Sequence, residues 1–167
     1  ILRDFHTTLP QVQWAITGYS LTYGSMLIIG GRLSDIHGPR RMFVIGVALF
    51  GLGSLVAALS QAVPMLVVGE GVFEGVGAAL MAPASLAIIT RTFHGRERGT
   101  AFSMWGAVMG AAVAFGPVIG GFLTTELSWR AAFVINVVAV PVVLVGMLTL
   151  TPAHHGGGVK EPLDIPG

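Results

Sequence analysis

Apolar runs of membrane length, broken by short charged segments, organise this 167-residue chain. Five such runs stand out, at about 12–31, 42–60, 63–90, 101–123 and 131–150. A membrane-spanning helix, rising about 1.5 Å per residue, needs roughly 20 apolar residues. Four runs have that length directly. The third is longer, and Pro83 within it predicts either a bend or a division between a buried part and an extension beyond the bilayer. None of the surrounding runs has a polar face, so the pattern predicts an all-α membrane fold of about five transmembrane helices.

The connecting segments sort by charge. Segment 31–41 carries Arg32, Arg40 and Arg41, and segment 91–100 carries Arg91, Arg96 and Arg98. The alternate connections, Gln61-Ala62 and roughly 124–130, carry no basic residue and Arg130 alone. Basic loops stay on the cytoplasmic side. This predicts that 31–41 and 91–100 are cytoplasmic, that the first run crosses inward, and that the tail 151–167 is a cytoplasmic linker toward a further span. Trp14 and Trp129 then fall at the outer ends, where aromatic belt residues belong. An odd number of spans starting outside implies a preceding one, so both ends read as internal to a longer protein.

Composition narrows the classes. Hydrophobic residues make up 53% and charged residues 10%, with a mean hydropathy of +0.80, whereas a soluble domain carries about a quarter charged residues. No basic cluster is dense enough to suggest nucleic acid. The absence of cysteine rules out disulfides and thiolate metal sites. Two adjacent histidines, His154-His155, cannot both face one metal easily and read as a polar tail. No cofactor, metal site or catalytic residue is expected. A glycine-rich nucleotide turn through Gly69, Gly71 and Gly75 is set aside, because the acid that should follow about 20 residues on is missing.

The segment GGRLSDIHGPRRMF, residues 30–43, places an acid, a glycine and a basic pair in a short turn between two spans. Gly38-Pro39 supplies a tight turn. Asp35 stands where a carboxylate can pair with arginine or sit against a helix end. Farther on, WGAVMGAAVAFGPVIGGFL carries Gly106, Gly110, Gly116-Pro117 and Gly120-Gly121. Small residues four apart let helix backbones approach closely in a membrane, and a mid-span proline loosens one hydrogen bond.

These two segments resemble signatures of the major facilitator superfamily. Gly31, Asp35, Gly38, Arg40 and Arg41 are similar to the loop between its second and third spans, with Ile36 and Pro39 where arginines commonly stand. The resemblance implies a role in switching between inward- and outward-facing states. GPVIGG is similar to the antiporter signature of span five, with Ala112 in place of a further glycine. Together with VQWAITGYSLTYG, GVGAALMAPASLAIIT and SWRAAFVINV, the whole chain resembles spans two to six of the fourteen-span drug–proton antiporters, the EmrB/QacA type. Val138 stands where that branch often has proline.

Glu70 and Glu74 interrupt the third run, and at helical spacing they share one face about one turn apart. A charge at the bilayer centre costs roughly 2.5 to 3.5 kcal/mol, so such residues usually face a cavity and act there. Aligned with the family's span-four pattern, Gly71 takes the place of an arginine linked to proton coupling and Glu74 that of a glutamine; the arginine's role does not pass to Gly71. The acids can load and release a proton, attract a cationic compound, pair with a basic group on another helix, or persist in the protonated form. Tyr19, Tyr23, Phe73, Trp105 and Phe115 are candidates to line a cavity for flat cations.

The resemblance implies a transmembrane secondary transporter working by alternating access, exporting a small amphipathic or cationic compound against protons across the plasma membrane. Its partners would be that substrate, protons, the lipid bilayer and the remainder of the transporter. A non-transporting fragment that acts only in membrane assembly is the competing expectation.

Overall fold

The computed structural model describes residues 5 and 7–150; the tail 151–167 and His154-His155 lie outside the described residues. All regular structure is helical, and there is no strand among the described residues. Helix α1 (Leu9–His37) begins where the Gln11 side chain accepts hydrogen bonds from the Thr8 amide, at 3.3 Å, and from the Thr7 hydroxyl. Pro10 sits in its first turn, where a missing amide costs nothing. Helices α2 (Pro39–Ala58) and α3 (Val63–Leu66) follow. Then come a π-helical stretch Val67–Glu74, α4 (Gly75–Thr92), α5 (Gly95–Phe122), a second π-helical stretch Leu123–Leu127 and α6 (Trp129–Leu150).

Four helical segments are long and apolar enough to cross a membrane: Pro39–Ala58, Val63–Thr92, Gly95–Leu127 and Trp129–Thr149. Helix α1 is as long as these but is not one of them, since Gln11, Gln13, Thr17, Ser20 and Thr22 dilute its apolar character. The irregularity expected at Pro83 lies elsewhere. Helix α4 runs through Pro83 to Thr92, and the departure from α-geometry falls on Val67–Glu74.

Most of the buried residues are small, and many of the exposed ones are large. Ala15, Ala57, Ala79, Ala84 and Ser54 are buried, whereas Ile28 is 83% and Val113 74% exposed. This inverts a water-soluble protein. Lipid is as apolar as a side chain, so helices associate through close backbone packing rather than by hiding leucines. A methyl group at Gly46 would come within 2.8 Å of the Gly77 carbonyl oxygen, and one at Gly69 within 2.8 Å of the Gly53 carbonyl oxygen. Pro83 contributes in the same way. Its missing N–H leaves the Ala79 carbonyl without its usual i+4 donor, and Gly30 of α1 closes on that carbonyl oxygen.

Helices α1, α2 and α4 form the packed body with the first π-helical stretch, and α6 lies along α2. Helix α5 has no buried residue and packs chiefly on its chain neighbours. Trp129 corrects the expectation of an outer belt residue. It is 6% exposed and packs on Ala15, Ala57 and Leu66, edge-on to Phe5 and Phe133. Trp14 is 62% exposed.

Candidate functional site

Both acids of the third run fall inside the π-helical stretch Val67–Glu74. A π-helical turn holds an extra residue, widens the backbone and is found disproportionately at functional sites. The two acids within it are unequal. Glu74 is buried against α2, and its Oε1 accepts a hydrogen bond from the Ser54 hydroxyl at 2.6 Å. Gly53 makes room for it, since a Cβ at Gly53 would lie 2.8 Å from Glu74 Cγ. Glu70 is half-buried, with no such donor among the described residues. Neither acid has an ion-pair partner among the described residues.

Helix α1 closes the other side. A Cβ at Gly75 would sit 2.9 Å from Thr22 Cβ and 3.2 Å from the Tyr19 carbonyl oxygen. Tyr19 stacks on Tyr23 at 6.0 Å with the rings nearly parallel. Gly71 faces Gly18, whose Cα would be 3.4 Å from an added Cβ. The arrangement is a buried carboxyl held by one hydroxyl donor, with a second carboxyl four residues away and a phenol beside them. It can bind and release a proton without a charged partner. Nothing about it resembles a metal site, and no cluster of metal-ligating side chains occurs among the described residues.

The expected loop 31–41 is mostly helix. Gly31, Arg32 and Asp35 lie in the last turns of α1, and Arg40 and Arg41 in the first turn of α2. Only Gly38 separates the two helices, at φ 89°, a backbone conformation that L-residues with a side chain rarely adopt. Asp35 is exposed, with no ion-pair partner among the described residues. Arg40 turns away from it: its Nη2 donates to the carbonyl oxygens of Met147 and Leu148 in α6, at 3.4 and 3.3 Å. Ser34, between Arg32 and Asp35, is 2% exposed, and its hydroxyl has no hydrogen-bond partner among the described residues.

The glycines of α5 meet no partner here. A Cβ at Gly106, Gly110, Gly116, Gly120 or Gly121 would find nothing within 4 Å, and Pro117 is exposed beside them. The close packing expected of this stretch is therefore not made by any described residue. The aromatic candidates are likewise dispersed. A cleft of about 670 Å³ between α1 and the start of α3 is lined by Trp14, Gln11, Gln61 and Pro64. A groove of about 260 Å³ lies among α2, α4 and α6. Neither is lined by Tyr19, Tyr23, Phe73, Trp105 or Phe115.

Sequence reasoning missed Ser54 and Arg130. Ser54 could have been found, being the one hydroxyl in the apolar run between Phe43 and Leu59. Arg130 could not, because its hydrogen-bond acceptors among the described residues are backbone oxygens. Its Nε donates to the Ala58 carbonyl at 3.1 Å and its Nη2 to that of Ser60 at 2.8 Å, while its guanidinium sits 4.3 Å from the centre of the Trp129 ring.

Comparison with known proteins gives this geometry a family. The chain is 39% identical over 170 residues to the puromycin resistance protein pur8 of Streptomyces alboniger, a match covering all of this chain and 33% of that protein. It is 39% identical over 168 residues to the tetracenomycin C resistance and export protein of Streptomyces glaucescens, covering all of this chain and 31% of that protein. The cephamycin export protein CmcT of Amycolatopsis lactamdurans is 35% identical over 169 residues, again across the whole chain and 35% of its own length. The chain thus spans about a third of the length of these relatives. The family model described as Major Facilitator Superfamily matches residues 1–164. An all-helical chain of apolar spans packed through glycines, matched over nearly its whole length, belongs to the major facilitator superfamily of membrane transporters.

Proposed function

We propose that this chain is the first-half portion of a proton-coupled exporter of small amphipathic compounds, of the fourteen-span drug–proton antiporter type. The observation that carries the reading is the identity of 39% across the entire chain to relatives named for resistance and export. In this reading the protein sits in the plasma membrane with segments 31–41 and 91–100 cytoplasmic, and works by alternating access around a site near the bilayer midplane. Its partners are a small-molecule substrate, protons, the lipid bilayer and the rest of the transporter.

The residues divide the work. Glu74, held by Ser54, carries the transported proton, and Glu70 attracts a proton or a cationic substrate toward it. Gly31, Asp35, Gly38, Arg40 and Arg41 form the element that changes between the two access states. Gly106, Gly110, Gly116, Pro117, Gly120 and Gly121 form the face on which the rest of the transporter closes. That no described residue lies within 4 Å of a Cβ added at these glycines supports the last assignment. The test is efflux of ethidium from cells and everted vesicles bearing the complete protein, with and without a pH gradient. Gradient-driven movement of the dye supports the reading. Insertion into the membrane without dye movement or proton flux, across a panel of amphipathic compounds, would favour a purely structural assembly role.

A further inference from the structure

The groove of about 260 Å³ between α2 and α6 has a direction. Its α2 side is Phe43, Val47 and Phe50, which share one helical face. Its α6 side runs from Asn136 to Val143, and α4 contributes Met81. The two helices are antiparallel, because Gly51 packs on Val140 while Arg40 reaches Met147 and Leu148. Phe43 and Val143 therefore lie at the Arg40 end, and Phe50 and Asn136 at the other. From Phe43 to Phe50 the helix rises about 10 Å, two turns. Ala139 and Val143 are exposed, so the groove opens away from the packed body.

The two ends differ in chemistry. Every lining residue is apolar except Asn136, at the end far from Arg40. Arg40 lies three residues before Phe43, less than one turn, so its guanidinium stands at the near end. Its Nη2 serves the two α6 carbonyls, and no hydrogen bond from its Nε or Nη1 is made among the described residues. Arg41 beside it is exposed, and the first turn of α2 carries no acid. An occupant that complements this groove is hydrocarbon for about two turns and anionic where it emerges. A guanidinium with donors to spare suits a phosphate.

We propose that this groove is a lipid site, in which an acyl chain of an anionic glycerophospholipid lies between α2 and α6 with its phosphate at Arg40 and Arg41. The bilayer supplies such molecules at high local concentration. Each arginine near an anionic membrane surface contributes roughly fivefold to binding. Asn136 sets the depth, since its amide ends the hydrocarbon lining. The leaflet follows from the cytoplasmic placement of segment 31–41, and in that respect the inference rests on the function proposed above. The site itself needs only the groove and its charged end.

Native mass spectrometry of the complete protein reads the site. The protein is released from bilayers holding equal amounts of phosphatidylglycerol and phosphatidylethanolamine with identical chains. The expected result is a retained phospholipid enriched about fivefold or more in phosphatidylglycerol. Arg40→Gln should bring the two headgroups toward parity, and Arg40→Lys, which keeps the charge, should preserve most of the enrichment. Arg96→Gln, in the other basic segment, should leave it unchanged. Ala139→Phe puts a ring into the groove and should lower retention of both lipids. Ala139→Leu, a smaller intrusion, should do so in part and serves if the ring disturbs thermal unfolding. Equal retention of the two headgroups would overturn the proposal, as would equal losses from Arg96→Gln and Arg40→Gln. So would retention untouched by both Ala139 variants, the outcome expected if the rest of the transporter fills the groove. Ethidium efflux separates this site from the proposed function. Retained lipid without efflux keeps the site and removes the exporter; efflux without retained lipid does the reverse.

Discussion

Glu74→Gln isolates the proton chemistry from the fold. Glutamine has the same shape and keeps a carbonyl oxygen where Glu74 Oε1 accepts the Ser54 hydroxyl at 2.6 Å. The buried position, 5% exposed, also favours an uncharged side chain. The variant should therefore unfold within about 1 kcal/mol of the parent, the scale of one net hydrogen bond. It cannot exchange a proton. Efflux driven by a pH gradient should then fall at least about tenfold, equivalent to about 1.4 kcal/mol, while downhill dye movement persists. Ser54→Ala is the complement. It removes the donor and leaves a buried carboxyl oxygen unsatisfied, at a cost of about 1 to 3 kcal/mol, and in a Glu74→Leu background, which has no oxygen to satisfy, that cost should shrink. The assay is dye efflux in everted vesicles, paired with thermal unfolding in detergent. Wild-type gradient-driven efflux by Glu74→Gln would refute the proton role. Additive stability changes in the double variant would refute the energetic coupling of Ser54 and Glu74.

Other positions test the packing. Gly30→Val should destabilise by about 1 to 3 kcal/mol, because the side chain must displace the Ala79 backbone where α1 closes on α4; a thermal scan reads this directly. Trp129→Ala should cost about 3 to 5 kcal/mol, as expected for a large buried ring, whereas Trp14→Ala, at an exposed position, should cost far less. Gly38→Ala should cost about 1 to 3 kcal/mol through its φ of 89° alone, since nothing lies within 4 Å of the added methyl. Gly110→Val should leave the thermal stability of residues 1–167 unchanged and impair efflux by the complete protein. No described residue lies within 4 Å of a Cβ added there, and the proposed function puts the rest of the transporter on that face.

Much of the fold was legible in the pattern of residues. Runs of about 20 apolar residues have few folded options in a bilayer, since each backbone polar group must be bonded within its own segment. Helical character, the approximate runs and the turn at Gly38-Pro39 follow from that. The site was legible only in part. Glu70 and Glu74 are conspicuous because charge is scarce here, but their unequal environments come from the packing of Glu74 against Gly53 and Ser54 of α2, which no local propensity marks. Asp35 has no ion-pair partner among the described residues, whereas Arg40 donates to the carbonyl oxygens of Met147 and Leu148 on α6, a contact remote in sequence and visible only in three dimensions. Trp129 was misread because a tryptophan at a span end suits the interface and the core equally well until its neighbours are known.

Sequence by itself determined that this chain enters a membrane, that it does so as helices, and which family its motifs resemble. Those properties depend on local composition and spacing, which the chain carries in linear order. Tertiary structure decided which small residues meet, which acid is buried, and which backbone carbonyls each arginine reaches. Those outcomes depend on backbones approaching within a few ångströms, and on carbonyl groups that every residue has and no sequence pattern distinguishes.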